Sequence, residues 1–187
     1  MENKKRCDWV KLNNIDYVKY HDNEWGVPKF DDGILFEMLI LEGAQAGLSW
    51  ETILKKRENY RLAFDNFDYK KIAKYDKNKI NELMQNEGIV RNKLKINSAV
   101  KNARVFIEIQ KEFSSFSKYI WEFVGHKPIE NRFEKLSEVP VKTELSDLIS
   151  KDLKKRGMSF VGSTIIYAYM QSIGMVNDHQ MNCFCRK

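Results

Sequence analysis

Residues 34–46, ILFEMLILEGAQA, are apolar on nearly every side of a helix. A helix with no face to offer water belongs in a core, so the rest of the chain must wrap around it. Glu42 interrupts this stretch. Its helical neighbours at three and four positions are Met38, Leu39, Gln45 and Ala46, none of them cationic, so no local ion pair accounts for the carboxylate. Gly43 and Gly47 follow, and each lets another backbone or a flat ligand come close. Tyr17, Tyr20, Trp25 and Trp50 bracket the stretch in sequence. An isolated acid among aromatic and small residues suggests a pocket for something flat and electron-poor. On the residues alone a second explanation stays open: Glu42 caps a neighbouring helix or meets an arginine from elsewhere.

A chain of 187 residues suits one domain, residues 1–187, or two small helical lobes sharing a core. Its 43% hydrophobic content is enough to build that core. No stretch reaches the roughly 18 apolar residues that a membrane span needs, so no membrane partner is expected. MENKKRCDWV carries charges with no apolar run behind them, unlike a secretory signal. Three cysteines, split between the two ends, argue against a disulfide framework and fit a reducing cytoplasm. The net charge of +6 is compatible with a polyanionic partner. Nothing demands more than a monomer.

Helical periods dominate, and the class reads as all-α. Ile15–Asn23 is a first helix with Tyr17, Tyr20 and His21 close to one face, ended by Gly26 and Pro28. Asp31 or Asp32 caps the buried helix. Ser49 caps the next, which runs through Phe64 with Ile53, Leu54, Tyr60 and Phe64 inward and Lys55, Lys56, Arg57 and Arg61 mostly toward water. Helices follow over Asp68–Tyr75, Asp76–Asn86 with Gly88 as its stop, Lys93–Phe113 and Ser115–Val124, and these read as scaffold, Trp121 included. His126–Val141 shows no period and reads as a loop, with His126 isolated in it.

Leu145–Arg156 is a helix with Leu145, Leu148, Ile149 and Leu153 on one side. A tight Gly157–Gly162 turn leads into a second apolar helix running to about Ile173. This has the form of a helix-hairpin-helix element. Free amides at the start of the second helix, at Gly162, Ser163 and Thr164, can receive a phosphate without reading sequence. Lys154, Lys155 and Arg156 add non-specific attraction. An ordinary helical hairpin on a packed core has the same spacing.

Cys7 and His21 near one end, with His179 and Cys183 near the other, make a two-thiolate, two-imidazole set of the kind that suits tetrahedral zinc. Four protein ligands leave no open position, so such an ion is structural and ties the ends together. The spacing of His179 and Cys183 is a weak signal alone, and Cys185 is a spare thiol nearby.

The strings YHDNEWGVP, LEGAQAGLSW and LKKRENYR resemble the type I 3-methyladenine DNA glycosylases, and the resemblance continues through LSDLISKDLKKRGMSFVGSTI and VNDH. It implies the helix-hairpin-helix glycosylase fold and monofunctional hydrolysis of the N-glycosidic bond of 3-methyladenine in double-stranded DNA. The free base is then the product and an abasic site remains. It also maps the same four metal ligands, with one structural Zn2+ per chain.

Under this resemblance Trp50 and Tyr20 provide stacking faces, Trp9 and Tyr17 line the pocket, and Trp25 lies nearby. Glu42 accepts hydrogen bonds from the adenine edge and favours a cationic base. Gly47 and Leu48 enter the gap left by an extracted base, although plain core packing is the preferred reading of Leu48. Many helix-hairpin-helix glycosylases carry a catalytic Asp in a VDTH-like string. Here Asn177 takes that position, with Asp178 one step out of register. No lysine stands out as a Schiff-base nucleophile. Without the resemblance, a DNA-binding module that cuts no bond, or a purely structural metal-clamped protein, explains the same residues.

Overall fold

The computed structural model describes residues 4–186. Its centre is helix α2, Asp32–Gln45, in which every residue from Leu35 to Ala44 is buried. Four helices pack directly on it: α3 (Trp50–Ala63), α6 (Lys93–Phe113), α7 (Phe116–Glu122) and α9 (Ser163–Ser172). Among the described residues the regular structure is helical, as the periods predict, apart from one pair of two-residue strands. These are β1 (Ile129–Glu130) and β2 (Val176–Asn177), parallel, with Ile129 opposite Val176. They correct the reading of 126–141 as plain loop, because a two-residue strand is too short to leave a period. His126 itself is exposed, at φ +59°. No helix of the described residues is long and apolar enough to cross a membrane.

Both aspartates at the start of α2 act as caps, but for different helices. Asp31 accepts from the Ile34 amide at 2.9 Å. Asp32 accepts from the Phe116 and Ser117 amides at 2.9 and 2.8 Å, satisfying the free donors at the start of α7. One carboxylate on the central helix thereby fixes the start of a helix more than eighty residues away.

Helix α1 (Ile15–Asn23) begins on Asn14, whose side chain accepts from the Asp16 and Tyr17 amides. It buries Tyr17, Tyr20 and His21 together. The expected helix at 68–75 is shorter. After a 3-10 turn at Asp65–Phe67, α4 spans only Tyr69–Ile72, with Asp68 as its cap. Helix α5 (Lys77–Gln85) ends at an Asn86 cap rather than at Gly88. A Cβ at Gly88 would come within 2.8 Å of Asn59, so that glycine serves close approach to α3.

Helix α8 (Glu144–Lys155) turns Ile149 and Leu153 inward, but Leu148 is 55% exposed, against expectation. Helices α8 and α9 pack on each other, and the turn at 157–162 between them buries Met158 and Val161. Asn102 on α6 clasps that turn from outside, donating to the Ser159 carbonyl at 2.8 Å and accepting from its amide at 2.9 Å. Gly43 holds the inner side: a Cβ there would meet the Cβ and carbonyl oxygen of Phe160 at 3.3 Å. Of the two uses open to Gly43, close approach of a backbone is the one realised.

Candidate active site and metal centre

A cavity of about 350 Å³ opens beside the C-terminal half of α2. Glu42 and Gln45 line it from α2, and Tyr17 and Tyr20 from α1. Trp9, Trp25 and Trp50 complete the aromatic wall, so all five aromatics singled out in the sequence reach one space. Tyr20 and Trp50 touch each other, with ring centroids 5.2 Å apart and planes tilted by 51°. They form one corner of the wall and are too close to admit a third ring between them. Trp9 stands edge-on to both Tyr17 and Trp25, at 5.7 and 5.0 Å. The indole nitrogens of Trp9 and Trp50 are buried and have no hydrogen-bond partner.

Glu42 is 4% exposed and has no ion-pair partner among the described residues. Burial pushes its pKa up to about 8, against an opposing pull from Ser172. The contrast with Glu37, on the same buried helix, is direct. Glu37 accepts from Arg57 at 2.6 Å and Arg61 at 2.8 Å, and Arg57 also reaches Glu24 at 2.7 Å. Arg57 therefore does not face water, as its place among basic neighbours predicts. It is drawn inward because Glu37, five positions before Glu42, needs a cation.

The opposite wall comes from the C-terminal part of the chain: Thr164, Tyr167, Gln171 and Asp178. Of these the sequence assigned a role only to Thr164, named Asp178 only as one step out of register, and gave no signal for Tyr167 or Gln171. Asp178 lines the cavity, whereas Asn177 donates to Glu130 at 2.8 Å and accepts from the His179 amide. So the string VNDH does bring a carboxylate to the cavity, one residue later than its alignment predicts. That carboxylate is buried and held by three neutral donors, Asn131, Tyr167 and Gln171, each at 2.7 Å. Only the strand pairing of 129–130 with 176–177 could reveal this, and it is invisible in the sequence.

At the start of α9, Gly162 is the cap and offers no side chain to the first amides. A Cβ on Gly162 would meet nothing within 4 Å, so the ground before these amides is open. Thr164 is exposed there and also lines the cavity, which puts the α9 start at the cavity's rim. Ser163 is half-buried beside it. Between Gln45 and Trp50, which also line the cavity, Gly47 takes φ +77° and Leu48 is 37% exposed. The reading of Leu48 as core is thus overturned: α2 ends at Gln45, and the turn that follows swings the leucine outward.

Cys7, His21, His179 and Cys183 are all buried, and their ligand atoms lie within 4.8 Å of one another. Nδ1 of His179 is 3.5 Å from both thiol sulfurs, and Nε2 of His21 is 3.4 Å from Sγ of Cys183. The remaining ring nitrogens are committed elsewhere. Nδ1 of His21 meets Asp22 at 2.8 Å, and Nε2 of His179 meets the Trp25 carbonyl at 3.1 Å. Asp22 is held in turn by Arg6. Burial, with the nearby His21, pushes His179 down to about 4, leaving the neutral imidazole that ligates. Burial also pushes the Cys7 thiol up to about 12, a penalty that a bound cation reverses. The four residues can hold one metal ion. Cys185 stands apart from the four, grouped with His21 and Asp22.

The metal ligands and the cavity share a wall. The His21 ring lies 5.3 Å from Trp9, and the His179 ring 4.7 Å from Trp25.

A family profile described as methyladenine glycosylase matches residues 9–186. A DNA-3-methyladenine glycosylase of Haemophilus influenzae is 52% identical over 181 residues, covering 97% of each chain. A crystal structure of a 3-methyladenine DNA glycosylase I superposes with a TM-score of 0.95 at 48% identity, covering 98% of this chain and all of that one. A point variant of 3-methyladenine DNA glycosylase I, solved in complex with 3-methyladenine, gives a TM-score of 0.94 at 33% identity, covering 97% of each chain. With a matched profile over nearly its whole length and a half-identical relative, this chain belongs to the methyladenine glycosylase family.

Proposed function

We propose that this chain excises 3-methyladenine from alkylated double-stranded DNA by hydrolysing the N-glycosidic bond. The observation that carries the reading is Glu42, a buried acid without a cation, in an aromatic cavity large enough for a purine. Methylation at N3 puts a positive charge on the purine while it is still joined to the sugar. An electron-rich aromatic wall attracts such a ring, by roughly 2 kcal/mol when desolvated. A carboxylate at Glu42 accepts from its exocyclic amine and offsets its charge. An uncharged adenine brings no such charge, and the cost of ionising a buried acid is then not offset.

The chemistry asks little of a general acid. The glycosidic bond breaks with its electron pair moving onto the purine, which leaves as neutral 3-methyladenine. Water adds to the sugar C1′ and loses a proton to solvent, leaving an abasic site. Asp178, which lines the same cavity, offers a carboxylate to the sugar as it becomes cation-like. No lysine is among the described residues that line the cavity, in keeping with a monofunctional glycosylase.

The α8–α9 unit acts as a helix-hairpin-helix that grips a backbone phosphate on the open amides after Gly162. Leu48, exposed in the turn between α2 and α3, fills the gap left in the stack. The ion held by Cys7, His21, His179 and Cys183 is zinc. A tetrahedral zinc with bonds of about 2.3 Å to sulfur and about 2.0–2.1 Å to nitrogen sets sulfur–nitrogen edges of about 3.5–3.6 Å, and the edges here are 3.4 and 3.5 Å. Its role is structural: it clips the N-terminal segment, with Trp9, to the end of the chain.

The deciding experiment measures base release from duplex DNA methylated at N3 of adenine, for the native chain and for Glu42→Gln. Release by the native chain with a clear loss in a folded, metal-loaded variant is expected. DNA binding without release by the native chain refutes the reading.

A further inference from the structure

The turn at residues 46–49, between α2 and α3, stands at the rim of the cavity, because Gln45 before it and Trp50 after it both line the wall. The last carbonyls of α2 lack intrahelical donors, and the negative end of the helix dipole gathers there. Lys95 answers both from a different helix. It lies in the first turn of α6, whose start is capped by Asn92. Its ammonium donates to the Ala44 carbonyl at 2.8 Å and to the Ala46 carbonyl at 2.6 Å. Gln45 closes the other side. Its side-chain amide donates to the Leu48 carbonyl at 2.6 Å, and the Leu48 amide returns to the Gln45 carbonyl at 2.7 Å.

The backbone is thus clamped at residues 44, 46 and 48, leaving Gly47 in open space and Leu48 exposed. At an ordinary surface turn water would serve these carbonyls. A half-buried ammonium gives up part of its hydration to do so, with no carboxylate within ion-pair reach to compensate.

We infer that Lys95 is a positioning residue for base extraction: it pre-forms the 46–49 turn so that Leu48 meets the duplex as a rigid wedge. This rests on the reading of Leu48 as the residue that fills the gap. A loose turn loses its conformational freedom at the moment of insertion, and that loss subtracts from the stability of the extracted state. A clamped turn has lost it already on folding.

The test compares the metal-loaded full chain with Leu48→Ala, Lys95→Met, the double variant and Lys95→Arg. Three readouts are used. Tryptophan quenching by free 3-methyladenine reports the pocket. A duplex carrying a tetrahydrofuran abasic analogue beside 2-aminopurine reports insertion into the gap, through the fluorescence of the unstacked probe. Single-turnover base release at two salt concentrations reports the reaction. Lys95→Met is expected to bind the free base within about twofold of the native chain, while release falls about tenfold and the 2-aminopurine signal falls with it. The double variant should be no worse than Leu48→Ala alone, because Lys95 acts through Leu48. Lys95→Arg, which keeps donors for the two carbonyls, should recover part of the loss.

Additive losses in the double variant overturn the inference while leaving the wedge intact. So does a Lys95→Met defect that appears only as a weaker salt dependence, since that marks a plain phosphate contact. A silent Leu48→Ala overturns the wedge reading, and the inference with it.

Discussion

Glu37 and Glu42 sit five residues apart on one buried helix, and only Glu37 has a cation: Arg57 meets it at 2.6 Å and Arg61 at 2.8 Å. The two acids therefore have opposite consequences. Removing one partner of a buried pair strands the other, at a cost of about 3–5 kcal/mol. Glu37→Gln or Arg57→Met should destabilise the protein on that scale, while Glu42→Gln at neutral pH should not. Urea unfolding of the variants checks this, and a large loss for Glu42→Gln would mean that the acid is structural after all.

The pH dependence follows from the same helix. Glu42 has a folded pKa raised from 4.5 to about 8 by burial, so the folded state holds a proton that the unfolded state releases. Between about pH 4.5 and pH 8 the unfolded chain binds fewer protons, and stability contributed by this group falls as pH rises. Glu42→Gln should flatten that fall, as read by unfolding midpoints across the window. If the ionised form recognises the base, kcat/KM should climb with pH toward about 8 in the native chain, and this limb should vanish in Glu42→Gln.

Metal removal should be felt in the cavity as well as in stability, because Trp9 and Trp25 pack on the rings of His21 and His179. Chelation should lower the melting temperature, shift tryptophan emission and weaken binding of free 3-methyladenine together. Asp22→Asn, which disturbs the partner of His21, should weaken metal affinity about 10- to 100-fold. Cys185→Ser should keep one metal per chain, measured by elemental analysis. A half-equivalent there would make Cys185 a ligand.

Trp50 forms one corner of the cavity with Tyr20. Trp50→Ala should weaken binding of free 3-methyladenine by about 1–3 kcal/mol, the usual worth of a stacking face. Calorimetric titration reads this directly. Trp121, buried elsewhere with its indole donating to the Lys29 carbonyl at 2.8 Å, should lower stability when changed to Phe but leave the affinity of the remaining folded protein unaltered.

Gly174 has φ +72°, and a Cβ there would lie 2.3 Å from the backbone of Val27 and Pro28. The crossing holds the segment after α1 against the end of α9, where the Gly26 amide donates to the Gln171 carbonyl at 2.9 Å and the Lys29 amide to the Ile173 carbonyl at 3.0 Å. Gly174→Ala combines left-handed strain with a backbone clash, so a loss above about 2 kcal/mol is expected in denaturant unfolding. A neutral result would mean that the crossing can open freely.

Much of this was legible in the residues. The all-round apolar stretch announced the central helix, the capping residues Asp31 and Ser49 marked two helix starts, and the two ends of the chain carried a Cys/His set that can hold a metal ion. Four of the five aromatics of the cavity, Tyr17, Tyr20, Trp25 and Trp50, could be nominated because they bracket Glu42 in the chain itself, and Trp9 came only with the family resemblance. Their errors share one cause. Leu148, Arg57 and Leu48 were each assigned from periodicity or local charge, and each is decided by what lies opposite in space.

The sequence by itself determined most of the helices and the buried acid, and it supplied the two thiols and two imidazoles that can hold a metal ion, because these depend on neighbours within a turn or on residue chemistry that no packing can alter. Tertiary structure alone decided which acid keeps a cation and which carboxylate of VNDH faces the cavity. It also set the direction of Leu48. Each of those outcomes depends on contacts between segments far apart in the chain: Glu37 with Arg57, residues 129–130 with 176–177, and Lys95 with the end of α2. Such contacts exist only once the core has closed, and local periodicity carries no record of them.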